Sequence, residues 1–223
     1  MDEEKKKYFK LKDFLNSPIS SHTNIEINLR DIQIGDNSVL NLSLALAKCN
    51  NLSVLTLKLD QQELGYSGVQ YLANAIAKCT NLTTLNLNFN YNKIGDKGLS
   101  YIAHTIGKLM NLQILVLQLD INQICGFGIS NLGSELAQCN KLSNLTLYLS
   151  GNQIADQDTS NLFSSFTKCK NLSSLTLDYY QKLFYENNKF FNLFFYEILK
   201  YSLLVQSLKI VFSSFKFNSW PKL

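Results

Sequence analysis

The chain is poor in the residues that interrupt a polypeptide. Two prolines and ten glycines among 223 residues leave no material for a flexible or extended linker, which predicts one domain. Arg30 is the single arginine against 20 lysines, and the net charge of +4 is spread along the chain. A nucleic-acid partner would require a clustered basic stripe, so none is expected. No apolar run approaches the roughly 18–20 residues of a membrane span. The start, Met1-Asp2-Glu3-Glu4-Lys5-Lys6-Lys7, is charged with no apolar stretch behind it, so neither a secretory leader nor a membrane span is expected and a reducing, cytoplasmic setting is the default. The two histidines, His22 and His104, belong to no Ser/His/Asp or Cys/His constellation. His104 reads as a solvated helix residue and His22 as the replacement of a strand leucine.

Hydrophobic residues make up 46% of the chain and charged residues 17%, enough apolar material to bury a core. There are 39 leucines and 25 asparagines. The lysine and asparagine excess reads as the composition of an AT-rich genome and is assigned no function. The leucines are periodic. Lys48-Cys49-Asn50-Asn51-Leu52 returns as Lys78-Cys79-Thr80-Asn81-Leu82, then at Lys108–Leu112, Gln138–Leu142 and Lys168–Leu172, in steps of 30 residues. A period in this range marks a repeat architecture.

Each unit carries the pattern L-x-x-L-x-L-x-L, as in Leu52, Leu55, Leu57, Leu59 and Leu112, Leu115, Leu117, Leu119. The alternation predicts strands with one buried face near 24–29, 54–59, 84–89, 114–119, 144–149 and 174–179, and a shifted one near 207–212. After a turn the period changes: Val69, Leu72, Ile76 and Cys79, like Leu99, Ile102, Ile106 and Leu109, form one helical stripe. Asp36 and Asp96 stand where a carboxylate could cap free helix amides. The stretch to Asn16 is expected to be a helix that starts the stack, with Tyr8, Leu11, Phe14 and Leu15 as its apolar face. Residues 1–20 would form this cap, 21–180 the regular repeats, and 181–223 a degenerate last repeat and C-terminal cap, crowded with Phe190, Phe191, Phe194 and Phe195 and closing on Ser219-Trp220-Pro221.

The L-x-x-L-x-L strands, the segments Asn92-Lys93-Ile94, Asn122-Gln123-Ile124 and Asn152-Gln153-Ile154, and the helix after each resemble the leucine-rich repeat family, in its longer ribonuclease-inhibitor-like class. The resemblance covers residues 20–180 and implies an α/β fold: a right-handed solenoid, a horseshoe with parallel strands on the concave face and helices on the convex face. One departure stands out. Leu59, Phe89, Leu119 and Leu149 lengthen the strand and carry the Asn with it, while Gln62 and Ile32 replace the Asn in two units. The hydrogen-bonded Asn ladder of the family is therefore expected to be absent or rearranged, with each Asn satisfying nearby backbone groups. A (β/α)8 barrel has units of similar length, but the outward strand positions here are mostly polar, whereas barrel strands are buried on both faces.

The candidate chemistry is sparse. Cys49, Cys79, Cys139 and Cys169 share a repeat position that Leu109 fills in the remaining unit, so they read as buried core thiols, with no C-x-x-C spacing for a metal. Gly126-Phe127-Gly128 lacks the spacing of a dinucleotide loop, since the next glycine is Gly133. The acceptor patterns at Asn51, Asn81, Asn144 and Asn171 follow from the repeat itself. No catalytic residue, cofactor or metal ligand is assigned, and enzymatic activity is not expected.

The surface that could work is the concave one. Its columns read Glu26, Thr56, Asn86, Val116, Thr146, Thr176; then Asn28, Lys58, Asn88, Gln118, Tyr148, Asp178; then Arg30, Asp60, Asn90, Asp120, Ser150, Tyr180. Glu26, Arg30, Lys58, Asp60, Asn88, Val116, Gln118, Asp120, Tyr148, Asp178 and Tyr180 are the candidate contacts for an unidentified protein partner. Tyr148, Tyr180 and the Ile114/Val116 pair are the anchor candidates. The leading expectation is a non-enzymatic interaction module. The resemblance also extends to the repeats of the Ran GTPase-activating protein, which implies regulation of a small GTPase as the alternative, on fold analogy alone. A short piece of a larger array, docking through its aromatic C-terminal end, is a third option.

Overall fold

The computed structural model describes residues 4–30, 33–178 and 207–211. Eight strands form one parallel sheet in sequence order: β1 (Lys6–Tyr8), β2 (Asn24–Asn28), β3 (Val54–Lys58), β4 (Thr84–Asn88), β5 (Ile114–Gln118), β6 (Asn144–Tyr148), β7 (Ser174–Asp178) and β8 (Ser207–Val211). Helices alternate with them: α1 (Leu11–Leu15), α2 (Asp36–Leu46), α3 (Tyr66–Ile76), α4 (Gly95–Lys108), α5 (Gly126–Leu136) and α6 (Asp156–Phe166). From α2 to α6 each helix packs on the next. The linear strand order, with no β8–β1 pairing among the described residues, is that of an open sheet rather than a barrel.

The repeat is copied residue for residue into the register. Ile25, Leu55, Leu85, Leu115, Leu145 and Leu175 are cross-strand partners in succession, and Leu175 pairs in turn with Leu208. Alternate strand residues point to opposite faces. One face meets the buried helix stripe, Val69, Leu72 and Ile76 from α3 and Leu99, Ile102 and Ile106 from α4, and the whole set forms one continuous core. Among the described residues the other face bears no helix, and it holds the polar columns.

The N-terminal segment departs from the expected single helix. Lys6–Tyr8 is a strand that pairs parallel with Ile25–Ile27, and only Leu11–Leu15 is helical. The exposed edge of β2 offers unpaired backbone groups, and satisfying them outweighs a weak local helix preference. Lys6 and Lys7 are exposed on this outermost strand, where solvated charges discourage addition of a further strand. Phe14 is buried, and Tyr8, Leu11 and Leu15 pack partly buried on the core. His22, 1% exposed, fills a strand-leucine position. Its Nε2 lies 2.8 Å from Ser17 Oγ and 3.1 Å from the Tyr8 hydroxyl, and its ring stacks on Phe14. Burial first, then the charge of Lys6, lowers its pKa below the usual histidine value, so it closes this end of the core as a neutral aromatic.

Asp96 does not cap its own helix. Its Oδ1 accepts the Cys125 amide at 2.7 Å, one repeat further on. The side chain of Asp36 lies outside the described residues. The expected cap over residues 181–223 also lies outside them, β8 apart.

Each Asn satisfies nearby backbone groups, as expected, but a ladder is not absent: Asn92, Asn122 and Asn152 form a continuous one that includes Gln62. Asn92 Oδ1 accepts the amides of Gln62 and Leu64 at 3.0 and 2.9 Å, and its Nδ2 donates to the carbonyls of Leu59 and Phe89, both at 2.9 Å. Asn152 does the same one step on, accepting from Asn122 and Ile124 and donating to Leu119 and Leu149. Asn122 Nδ2 donates to Phe89 O and Asp120 O. Gln62 is one methylene longer, yet its Oε1 accepts the Ile34 amide at 2.9 Å and its Nε2 reaches Leu29 O, Arg30 O and Asp60 O. Because strand and Asn shift together, the offset between them survives. A second ladder runs at the strand starts, where Asn51, Asn81, Asn111 and Asn171 each donate to a carbonyl of the preceding unit.

Two outcomes test this architecture by urea unfolding. Leu115→Ala, at 0% exposure, is expected to cost about 2–5 kcal/mol. Asn92→Ala is expected to cost roughly 1–3 kcal/mol for each buried amide it strands, those of Gln62 and Leu64. A loss for Asn92→Ala no larger than that of a surface substitution would show that the ladder is not a structural requirement.

Candidate functional site

The helix-free face places the predicted columns side by side. Glu26, Thr56, Asn86, Val116, Thr146 and Thr176 are successive strand partners, and so are Asn28, Lys58, Asn88, Gln118, Tyr148 and Asp178. Ten of the eleven candidates divide into two groups, and Tyr180 lies outside the described residues.

At the β2–β4 end the charged candidates bind one another. Glu26 pairs with Lys58 at 2.8 Å and with Lys5 at 2.6 Å. Arg30 Nε reaches Asp60 at 2.8 Å, and Asn88 Nδ2 donates to the same carboxylate at 3.2 Å. Glu26 and Asp60 are buried although they face away from the core. Burial works to raise the pKa of Glu26, but hydrogen bonds and charge from Lys5 and Lys58 outweigh it and hold the carboxyl down at about 2. Lys5 was not among the sequence candidates. Only the strand β1 brings it beside Glu26.

At the β5–β7 end the surface is different. Val116, Gln118 and Tyr148 are partly exposed and Ile114 is 39% exposed. Asp120 Oδ1 accepts the Ser150 amide at 2.8 Å, and the Asp120 amide donates to Asn90 Oδ1 at 2.8 Å. Asp178 Oδ1 accepts from the Ser150 hydroxyl. Burial pushes Asp120 up to about 6, and the Asp178 carboxylate adds to that, against the opposing pull of the Ser150 amide and Asn90.

Two residues of this region were missed by the sequence reading. Tyr91 and Ile121 stand at the turn that leaves each strand, 52% and 47% exposed, with φ of +57° and +54°. A β-branched residue is rare in that conformation. The signal was available in the repeat alignment, because Gly151, at φ +70°, occupies the same position. The turn is held in place across units: the amides of Gln61, Tyr91 and Ile121 donate to Asn90 O, Asp120 O and Ser150 O of the next repeat.

The remaining polar candidates have structural roles. Cys49, Cys79, Cys139 and Cys169 are buried. Burial raises the thiols of Cys49 and Cys139 to about 12 and those of Cys79 and Cys169 to about 11, which makes them poor nucleophiles. His104 is exposed and lies 3.4 Å from Glu135. Gly128 follows the glycines at 68 and 98 in the repeat, and a Cβ there would meet Asp96 Oδ1 at 2.8 Å, so its role is close packing between units. Among the described residues no group of three or more His, Cys, Asp or Glu side chains could hold a metal ion, and no helix is long and apolar enough to cross a membrane.

No protein-family model matches the sequence, and comparison with curated proteins finds no relative. Among solved structures the chain is similar to leiomodin-1 actin-binding site 2, at 16% identity and a TM-score of 0.43, over 86% of this chain and 90% of that one.

The two carboxylates predict opposite pH dependences in urea unfolding. Asp120 has a raised folded-state pKa, so its stabilisation is present below the ordinary value of 3.8 and is lost as pH rises through about 6. Asp120→Asn removes that loss, and its stability relative to wild type should climb across this window and then level off. Glu26 has a depressed pKa, so its contribution is present above 4.5 and is lost as pH falls through about 2. Glu26→Gln should be less stable than wild type at neutral pH, with the gap closing in acid. A pH-independent difference for either variant would contradict the assigned environment.

Proposed function

We propose that this chain is a non-enzymatic protein-binding module, a leucine-rich repeat solenoid of the ribonuclease-inhibitor-like class. In this reading it is a right-handed horseshoe that presents its strand face, the concave side, to a partner protein in the cytoplasm. The observation that carries the proposal is the contrast along that face. The charges of the β2–β4 end satisfy one another, whereas β5 holds Ile114 and Val116 and the neighbouring β6 holds Tyr148, opposite Gln118, all at least partly open to solvent, with Ile121 exposed beyond them. Apolar and amphipathic side chains of this kind dominate interface energetics. A scaffold fixed by side-chain ladders loses little freedom on binding, which favours affinity. Free, buried thiols fit a reducing compartment.

The contact region is therefore the β5–β7 half: Val116, Gln118, Asp120, Tyr148 and Asp178, with Ile114 and Ile121 at its margins. Glu26, Arg30, Lys58, Asp60 and Asn88 serve mainly to hold the other half together. Affinity purification with mass spectrometry from the native cell tests this, using wild type beside Tyr148→Ala/Asp178→Lys and Arg30→Ala. The first variant should lose the specific partner and the second should keep it. Once the partner is in hand, Tyr148→Ala alone should cost about 2 kcal/mol or more of binding. Retention of the same partners by the double variant would remove the strand face as the binding surface.

A further inference from the structure

The helical face carries a patch that the strand face does not account for. Because the unit is repeated, each helix is a control for the others. At one outward position α3, α4, α5 and α6 carry Gln70, Ser100, Ser130 and Ser160, and one turn later Asn74, His104, Ser134 and Ser164. At these two positions α2 carries Leu40 and Leu44, 37% and 57% exposed. The core of α2 is complete without them, since Val39, Leu42, Ala45 and Leu46 are already buried. Residues four apart form one ridge on a helix. Across the α2–α3 groove the facing wall is Tyr71, 46% exposed, and Ala47 and Ala75 line the groove together with Ser43 and Asn74. Lys78 lines the end of the groove near the helix C-termini, and no carboxylate lines it at all. Lys48, at the equivalent position of the neighbouring unit, is also exposed.

We propose that the α2–α3 groove is a second docking site, one that takes an amphipathic helix of a partner protein with apolar anchors about one turn apart and a carboxylate at the end that meets Lys78. The shape follows from packing: two parallel helices leave a groove between their ridges that accepts a third helix, and apolar anchors at i, i+4 and i+7 are how a helix fills such a groove. The charge follows from complementarity, because a cationic groove end with no acidic lining favours an acidic ligand and disfavours a basic one. A second copy of this chain fits less well, since it would bring the same lysine and no carboxylate from its own patch. This site is independent of the strand-face reading and stands or falls without it.

The test is selection of helical peptides from a display library in which leucine is fixed at i, i+4 and i+7 and the other positions vary. The library is captured on the full chain and counter-selected on Leu44→Ser, which restores the residue found in α5 and α6. The expected outcome is enrichment of peptides with Asp or Glu at one end over Lys or Arg. Their affinity should fall by about tenfold or more on Leu44→Ser, stay unchanged on Tyr148→Ala, and fall on Lys78→Glu for acidic peptides only. Leu44 is exposed, so the circular dichroism and unfolding midpoint of Leu44→Ser should match wild type. Absence of enrichment over the counter-selection, or enrichment of basic ends, overturns the proposal. So does a dimer in light scattering that Leu44→Ser dissolves, which would assign the groove to a second copy.

Discussion

The side-chain amides of Gln62, Asn92, Asn122 and Asn152 hold the point at which the chain leaves each strand, and the regularity of the sheet depends on them. At that point the backbone must stop pairing as a strand, turn through a left-handed residue, and start back toward the helix layer. Its amides and carbonyls are buried there and out of register with a plain strand ladder. A side-chain amide offers one acceptor and two donors in a fixed plane, and each here bonds groups of its own unit and of the unit before. Buried backbone groups must be paired, so the ladder lets the turn be buried and lets successive turns stack. The positive-φ residues Gln61, Tyr91 and Ile121 are tolerated because their amides are also tied to the following unit.

That constraint shapes the two surfaces differently. On the core side it fixes the strand leucines and helix stripes at one spacing, so they merge into a single core and each unit depends on its neighbours. On the helix-free side it aligns side chains into columns, where identity along a column decides the chemistry. Lys5, Glu26 and Lys58 meet across neighbouring units, as Arg30, Asp60 and Asn88 do, and the charges are spent internally. Further along, the same columns carry Val116, Gln118, Thr146 and Tyr148, which are uncharged and partly exposed. On the helix side two equivalent outward positions are polar in four helices and leucine in α2. Repetition makes such exceptions readable, because the neighbouring units show what the fold itself requires.

The asparagine excess illustrates how composition can mislead. Read as a count, it carried no information beyond codon bias. In three dimensions Asn92, Asn122 and Asn152 are buried in one ladder and Asn51, Asn81, Asn111 and Asn171 form another. The expectation that the first ladder was absent or rearranged rested on the lengthened strand. It failed because strand and asparagine had shifted together, and because the longer glutamine at 62 reaches the same carbonyls.

Sequence alone determined the unit length, the seven strands from β2 to β8, the helix stripes and the buried state of the four periodic cysteines. All of these follow from apolar periodicity, and burying an apolar stripe is the dominant local demand on a chain. The open-face columns were legible for the same reason, since alternation names the residues that point away from the core. Only the tertiary structure decided which of those residues are already committed. Lys5 stands just before β1, a strand that local propensity did not favour and that exists because the edge of β2 needed partners. The pairing of Glu26, Arg30, Lys58 and Asp60 runs between units, and Asp96 serves the next helix rather than its own. Interactions between units are set by the stacking of whole repeats, and no single stretch of sequence carries that information.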